Sequence, residues 1–293
     1  MRSAAPSHAL IAARKLSYCA LQVRANDFER YLCTLVAPPE AREALFALYA
    51  FDLEIARVRH VVSQPMAGLI RLQWWREALT GIEAGRPPAH PVAEALHHEA
   101  WPRLSAARAR LENAVAAHER ELEAEVPIAD LADLERHLEA TGGEIARAAL
   151  DLLGAGDERA LEAGGRIGGA WALVRLLRAL PQDARARRLL LPAALLERHG
   201  VALEAIFEGR GDARLAAAVA ELAGWARGQL RLGRALRPHV PALARAALRP
   251  ALFADLQLRR LRRAAYDPLA PALARPMPLA PLRLLWGHLR RAY

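Results

Sequence analysis

The residues of this 293-residue chain that could do chemistry are few and scattered. Asp52 and Glu54 are a close pair of carboxylates, but positions two apart lie roughly 200° around a 3.6-residue helix, so both cannot face one cavity. Glu54 reads as a surface partner for Arg57 at i, i+3, and Asp52, one turn before Ala56, reads as either a cavity-facing or a solvated carboxylate. His97, His98 and Glu99 carry metal-binding atoms, yet adjacent histidines on a helix point about 100° apart and cannot share one ion, so these read as surface residues. Gly142-Gly143, Gly164-Gly165 and Gly168-Gly169 follow no strand, which excludes a dinucleotide-type phosphate loop and leaves close helix packing or a kink. Two cysteines, Cys19 and Cys33, can build neither a disulfide framework nor a four-thiolate zinc site, and read as small buried residues or incidental thiols. No nucleophilic triad stands out.

The elements that must position these residues are helices. Alanine, leucine, arginine and glutamate dominate, and no run of alternating β-branched residues makes a convincing strand, so the fold class is all-α. The pattern predicts a helix from Glu40 to Val62 behind Pro38-Pro39, another over 66–82, and further helices around 92–100, 103–124, 130–153, 157–180, 193–198, 201–208, 212–236 and 241–263. A proline-rich tail follows, with Pro268, Pro271, Pro276, Pro278 and Pro281. No linker and no repeat of 20 to 50 residues is visible, so residues 1–293 read as one compact bundle rather than a solenoid. At 54% hydrophobic the chain is too apolar to be disordered, and no apolar run is long enough for a membrane-spanning helix. The first twenty-five residues are basic and acid-free but lack the apolar stretch of a secretory signal, which points to a cytoplasmic, reducing compartment.

Charge is unevenly placed. The net +9 divides into +12 for the segment 225–293, with 14 arginines against Asp255 and Asp267, and −3 for everything before it. Arginines 227, 231, 234, 237 and 245 mix with Leu230, Leu232, Leu236 and Leu243, a pattern suited either to a helix lying on an anionic bilayer or to a solvated face. Nucleic acid is not expected as a partner, because the basic segment has no zinc-finger spacing or aromatic platform.

Residues 31–51, YLCTLVAPPEAREALFALYAF, with LQWWREAL at 72–79, HPV at 90–92, TGG at 141–143, LLR at 176–178, LP at 191–192 and YDP at 266–268, resemble the squalene/phytoene synthase family over almost the whole chain. That resemblance implies the all-helical isoprenoid synthase fold, a single domain with a central cavity in which two prenyl diphosphates are joined head to head using magnesium. Such chemistry needs Asp-x-x-x-Asp pairs on two facing helices, since i, i+4 spacing stacks two hard oxygen donors on one face. Here the alignment puts Ala56 and His60 at the first pair and Ala179 and Asp183 at the second. Alanine offers no donor, and imidazole suits other metals better than magnesium. Asp183 alone remains as a metal ligand, and little or no condensation activity is expected.

The resemblance also implies that Arg71, Arg76 and Trp75 line a prenyl cavity with Trp74-Trp75 split between inside and outside, and that Arg178, Arg185, Arg187 and Arg188 grip a diphosphate or phospholipid head group. The alternative for the four arginines is a solvated basic turn after Pro181, and for at least one tryptophan it is core packing. Segments 51–60 (FDLEIARVRH), 68–76 (GLIRLQWWR) and 177–181 (LRALP) are similar to the branch of this superfamily that includes the mitochondrial complex I assembly factor. A non-catalytic helper, peripheral at the inner face of an energy-transducing membrane, without a cofactor and with respiratory-complex subunits or a lipid as partners, is the expectation. The enzyme alternative is a magnesium-dependent synthase recruiting Asp52, Asp183 and Glu144 or Asp151.

Overall fold

The computed structural model describes residues 16–62, 64–104, 107–124, 126, 128–274, 284 and 293. Ser17 and Asp27 start the first two helices, α1 (Tyr18–Asn26) and α2 (Phe28–Leu35), by accepting from the backbone N–H of Ala20 and Arg30. Pro38 and Pro39 lead through a short 3-10 turn into α3 (Arg42–Val61), whose middle turns are buried on nearly every side. A helix apolar all round must lie inside the bundle. Pro65 opens α4 (Pro65–Glu83) from its first turn, where no backbone N–H is lost. The predicted helix at 92–100 is α5 (Pro91–Ala95) running into a widened π-helical turn at Leu96–Ala100, and the next, α6, spans Ala107–Glu123.

The predicted 130–153 helix is a continuous rod with a break in its hydrogen-bond pattern: α7 (Leu131–Leu138), a π-helical turn over Glu139–Gly143, then α8 (Glu144–Leu152). Beyond it α9 (Glu158–Arg185) forms the centre of the molecule, against which α8, α12 and α13 pack. Two correct expectations meet here: Gly142 and Gly168 bring the rods together so closely that a Cβ at Gly142 would sit 2.3 Å from the Gly168 carbonyl oxygen. The boundary expected at Leu180 is wrong. Pro181 forfeits one backbone bond, but α9 continues to Arg185 because its last turn buries Asp183 and Ala184.

The chain then makes α10 (Ala193–Arg198), α11 (Leu203–Phe207), α12 (Ala213–Ala235), a 3-10 turn at Ala244–Leu248, α13 (Pro250–Arg263) and α14 (Pro271–Ala274). One apolar core runs from Cys19 to Tyr293, and the described residues contain no strand. Pro276, Pro278 and Pro281 of the expected tail, and Arg275, Arg283, Arg290 and Arg291 of the basic segment, lie outside the described residues. None of the described helices is long and apolar enough to cross a membrane.

Candidate functional site

Four elements converge on a polar cleft of about 150 Å³. From α3 come Asp52, Ala56, Arg59 and His60, spaced so that one helical stripe carries all four. Helix α9 contributes Arg175 and Ala179, with Asp183 buried one turn further on behind Arg59; α6 contributes His118 and Glu121; and the rod α7–α8 adds His137, Thr141 and Gly142 around its π turn. The four positions that the alignment singles out, Ala56, His60, Ala179 and Asp183, are therefore brought together, as facing helices require.

The carboxylates of this cleft are engaged by the protein's own cations. Asp52 is buried, not solvated: Arg30 donates to its Oδ2 at 2.5 Å and Arg175 at 3.1 Å. Asp27 extends the group, 3.6 Å from Arg30 Nε, and the Arg30 guanidinium lies 4.9 Å over the ring of Tyr49. Burial alone would raise the Asp52 carboxyl, but Arg30 and then Arg175 outweigh it and hold it below the usual aspartate range. Arg59 donates to Asp183 Oδ2 at 2.6 Å, and its Nε lies 3.5 Å from Glu121 Oε2. Among the described residues Oδ1 of Asp183 has no hydrogen-bond partner; His60 Nδ1 is its neighbour at 3.7 Å. Burial keeps the Asp183 carboxyl above its ordinary value in spite of Arg59.

Glu121 gathers two histidines, with His118 Nδ1 at 2.7 Å and His137 Nε2 at 3.3 Å from the same oxygen. Its burial is offset first by His118, then by His137 and Arg59, so its pKa falls to about 2 and it stays ionised. His60 and His137 go down to about 4, in both cases chiefly by loss of water, with Arg59 adding repulsion at His60. At neutral pH both are neutral.

This donor set does not fit magnesium. Two of the four aligned positions are alanines, the third is an imidazole with no affinity for a hard cation, and Asp52 and Asp183 are already neutralised by arginines 30, 175 and 59. Among the described residues no group of histidine, cysteine and carboxylate side chains is arranged to hold a metal ion. Glu144 and Asp151, the other candidates for recruitment, both bind Arg110, at 3.1 and 3.2 Å.

On the far side of Arg59 and Glu121 opens a second and larger space of about 610 Å³. Its wall is mostly apolar, with Val62, Leu122, Ile128, Leu190, Leu191, Leu196 and Val201, and its cations are Arg59, Arg187 and Arg188. Size and lining are those of a small-molecule or lipid site.

The expected arginine cluster is dispersed. Arg188 lines the larger cavity and donates to the Val62 carbonyl at 3.0 Å; Arg187 pairs with Glu204 and covers the Phe207 ring; Arg178 points away to Glu29 at 2.8 Å; and Arg185 is exposed. Arg71 is exposed on α4 and Arg76 is bound to Glu119, both outside the cleft. Trp75 is core, edge-on to Phe51 and His90, while Trp74 remains partly exposed. Nor does the basic C-terminal stretch form one amphipathic helix: α12 ends at Ala235, Leu230 is buried in the bundle, Arg234 binds Asp255 at 2.7 Å, and Arg245 binds the Val240 carbonyl. Cys19 and Cys33 are buried and free, and burial pushes the Cys19 thiol up to about 12. Arg30, Arg59, Arg175, His118, Glu121 and His137 were missed. One signal was available: His118 and Glu121 at i, i+3, and Arg175 at four before Ala179, share faces with one another and with the expected motif.

The squalene/phytoene synthase family model matches residues 23–283. The chain is 31% identical over 276 residues to NADH dehydrogenase (ubiquinone) complex I, assembly factor 6 of Homo sapiens, covering 94% of this chain and 82% of that protein. It is 30% identical over 254 residues to the phytoene synthase of Thermus thermophilus, covering 84% and 82%. A crystal structure of a dehydrosqualene synthase in complex with ligand superposes with a TM-score of 0.81 at 20% identity, over 93% of this chain and 94% of that one. The helical bundle is thus an isoprenoid-synthase-type fold, and the chain belongs to the squalene/phytoene synthase family.

Proposed function

We propose that this chain is a non-catalytic member of its family: a lipid-binding, assembly-type factor for a respiratory complex, peripheral at the inner face of a membrane and without a resident magnesium ion. The observation that carries the reading is the state of the polar cleft. Where the family's chemistry calls for carboxylates free to hold metal, the facing helices present Ala56, His60 and Ala179, and the remaining Asp52 and Asp183 are bound by Arg30, Arg175 and Arg59. Arginine guanidinium groups fill the electrostatic role of the missing cations, so the bundle is stable without them and has nothing with which to draw off a diphosphate leaving group. The likeness to assembly factor 6 supports the same reading and supplies the class of partner, subunits of the NADH dehydrogenase complex. The larger, mostly apolar cavity, whose lining includes Arg59, Arg187 and Arg188 beside Glu121 and Glu197, supports an amphiphile with an anionic head as the ligand.

The test is incubation of the purified protein with farnesyl or geranylgeranyl diphosphate, magnesium and a nicotinamide reductant, followed by mass spectrometry of the extracted lipids. No head-to-head product is expected. Squalene or phytoene, formed with magnesium and lost in Asp183→Asn, overturns the proposal in favour of the enzyme. Deleting the gene is expected to lower the assembled NADH dehydrogenase complex on native gels.

A further inference from the structure

An exposed apolar surface lies at a place that the charge count does not indicate. Helices α3 and α4 meet in an elbow whose outer side is apolar: Val61 is 54% exposed, Met66 66%, Ile70 64% and Trp74 37%. Met66, Ile70 and Trp74 recur every four residues and so form one stripe along α4, while the other side of the same helix buries Leu72, Trp75 and Leu79. A helix with a second, outward apolar stripe has a surface that its own bundle leaves uncovered.

Two observations identify what covers it. From Ile55 to Arg76 the chain contains no acidic residue, and of its four arginines Arg59 and Arg76 are bound to Asp183 and Glu119, whereas Arg57 and Arg71 are exposed and make no ion pair among the described residues. Arg57 stands one turn before Val61, and Arg71 beside Ile70, so the free cations border the stripe. Apolar residues with a tryptophan, flanked by two exposed arginines on a segment without acid, with Glu77 only at its far end, complement an anionic bilayer surface. The elbow also abuts the larger cavity, since Val62 and Pro65 line it.

We infer that the α3–α4 elbow, through Val61, Met66, Ile70 and Trp74 with Arg57 and Arg71, docks this protein on an anionic lipid surface beside the mouth of its apolar cavity. The inference rests on the membrane part of the function proposed above and names its surface. The basic C-terminal segment becomes secondary, because some of its arginines are held inside the fold, Arg234 by Asp255 and Arg249 by burial.

The experiment is co-sedimentation of the full chain with vesicles of phosphatidylcholine alone or mixed with phosphatidylglycerol. Wild type is expected to partition to the anionic vesicles only. The double variant Met66→Glu, Ile70→Glu changes two exposed positions and is expected to keep its circular dichroism while losing at least about tenfold in partitioning. Arg71→Gln is expected to lose about fivefold, less at high salt. Trp74→Phe should remove part of the vesicle-induced blue shift in fluorescence. Arg262→Glu with Arg263→Glu, exposed on α13, is expected to stay within about twofold of wild type. Loss in the α13 variant with the elbow variants unchanged overturns the inference and leaves the membrane reading standing. Wild type that sediments with neither vesicle overturns both, and an elbow that instead mediates self-association of the chain overturns the inference.

Discussion

Two spaces share a wall in this bundle and are built on opposite principles. The polar cleft at Asp52, Arg59 and Glu121 is lined by charges that answer one another, while the neighbouring cavity is lined mostly by leucine, isoleucine and valine and keeps its volume open. Arg59 and Glu121 face both. A buried carboxylate cannot be left uncompensated, so the charges of this cleft must find partners within the protein, and arginine is the side chain long enough to reach across. An apolar wall makes no such demand. A large space can therefore persist beside the cleft, while the cleft itself stays small.

The largest effect expected follows from the closed side. Arg30→Ala leaves Asp27 and Asp52 buried without their main cation, which should cost about 3–5 kcal/mol in chemical denaturation. A loss below about 1 kcal/mol would mean that water reaches the cleft and the charges are not locked. Next comes the seam that holds the cleft's helices together. A Cβ at Gly168 would lie 2.2 Å from the Gly142 carbonyl oxygen, so Gly168→Ala should destabilise by about 1–3 kcal/mol. Gly224→Ala is its counterpart: nothing lies within 4 Å of that Cβ, and the change should stabilise α12 by about 0.5–1 kcal/mol.

The open side responds differently. Val201→Trp should fill part of the larger cavity and lower the affinity for a fluorescent acyl phosphate by about tenfold, with little change in melting temperature. Unchanged affinity would place the ligand elsewhere. A pH dependence comes last. His60 and His137 have folded pKa values near 4, below the unfolded value, so the unfolded chain binds more protons as pH falls from about 6.5 towards 4 and stability declines over that window. The raised Asp183 carboxyl works the other way, since the folded state holds its proton more tightly. Between pH 7 and 6 the histidines dominate and the loss should be on the order of 1 kcal/mol, reduced in His137→Gln.

Much of the fold was legible because helix signals are local. The proline before α3, the breaks around Pro65 and Pro91, and the glycine pairs that admit a second helix all act within a few residues or on one face. The end of α9 was not, since burial of Asp183 and Ala184 overrides Pro181, and no local rule contains that term. At the site, i, i+4 spacing pairs Ala56 with His60 and Ala179 with Asp183 on one helix face each, and the family resemblance implied that the two pairs face one another. Their partners could not, because Arg30, Arg59 and Arg175 come from positions whose spacing to Asp52 and Asp183 means nothing until three helices are packed.

The sequence by itself determined the all-helical class, the family, the residues at the four aligned positions and the basic excess at the C-terminal end. The class and the charge excess are carried by composition and short-range spacing, the family and its aligned positions by the resemblance of short motifs along the chain. Only the tertiary structure decided which arginines are spent inside the fold and which remain outside. It bound Arg234 to Asp255, left Arg57 and Arg71 beside an uncovered apolar stripe, and turned Asp52 from a solvated carboxylate into half of a buried ion pair. The physical reason is that a charge acquires its role from what desolvates it, and that is set by packing between segments more than a hundred residues apart, as Arg59 and Asp183 are.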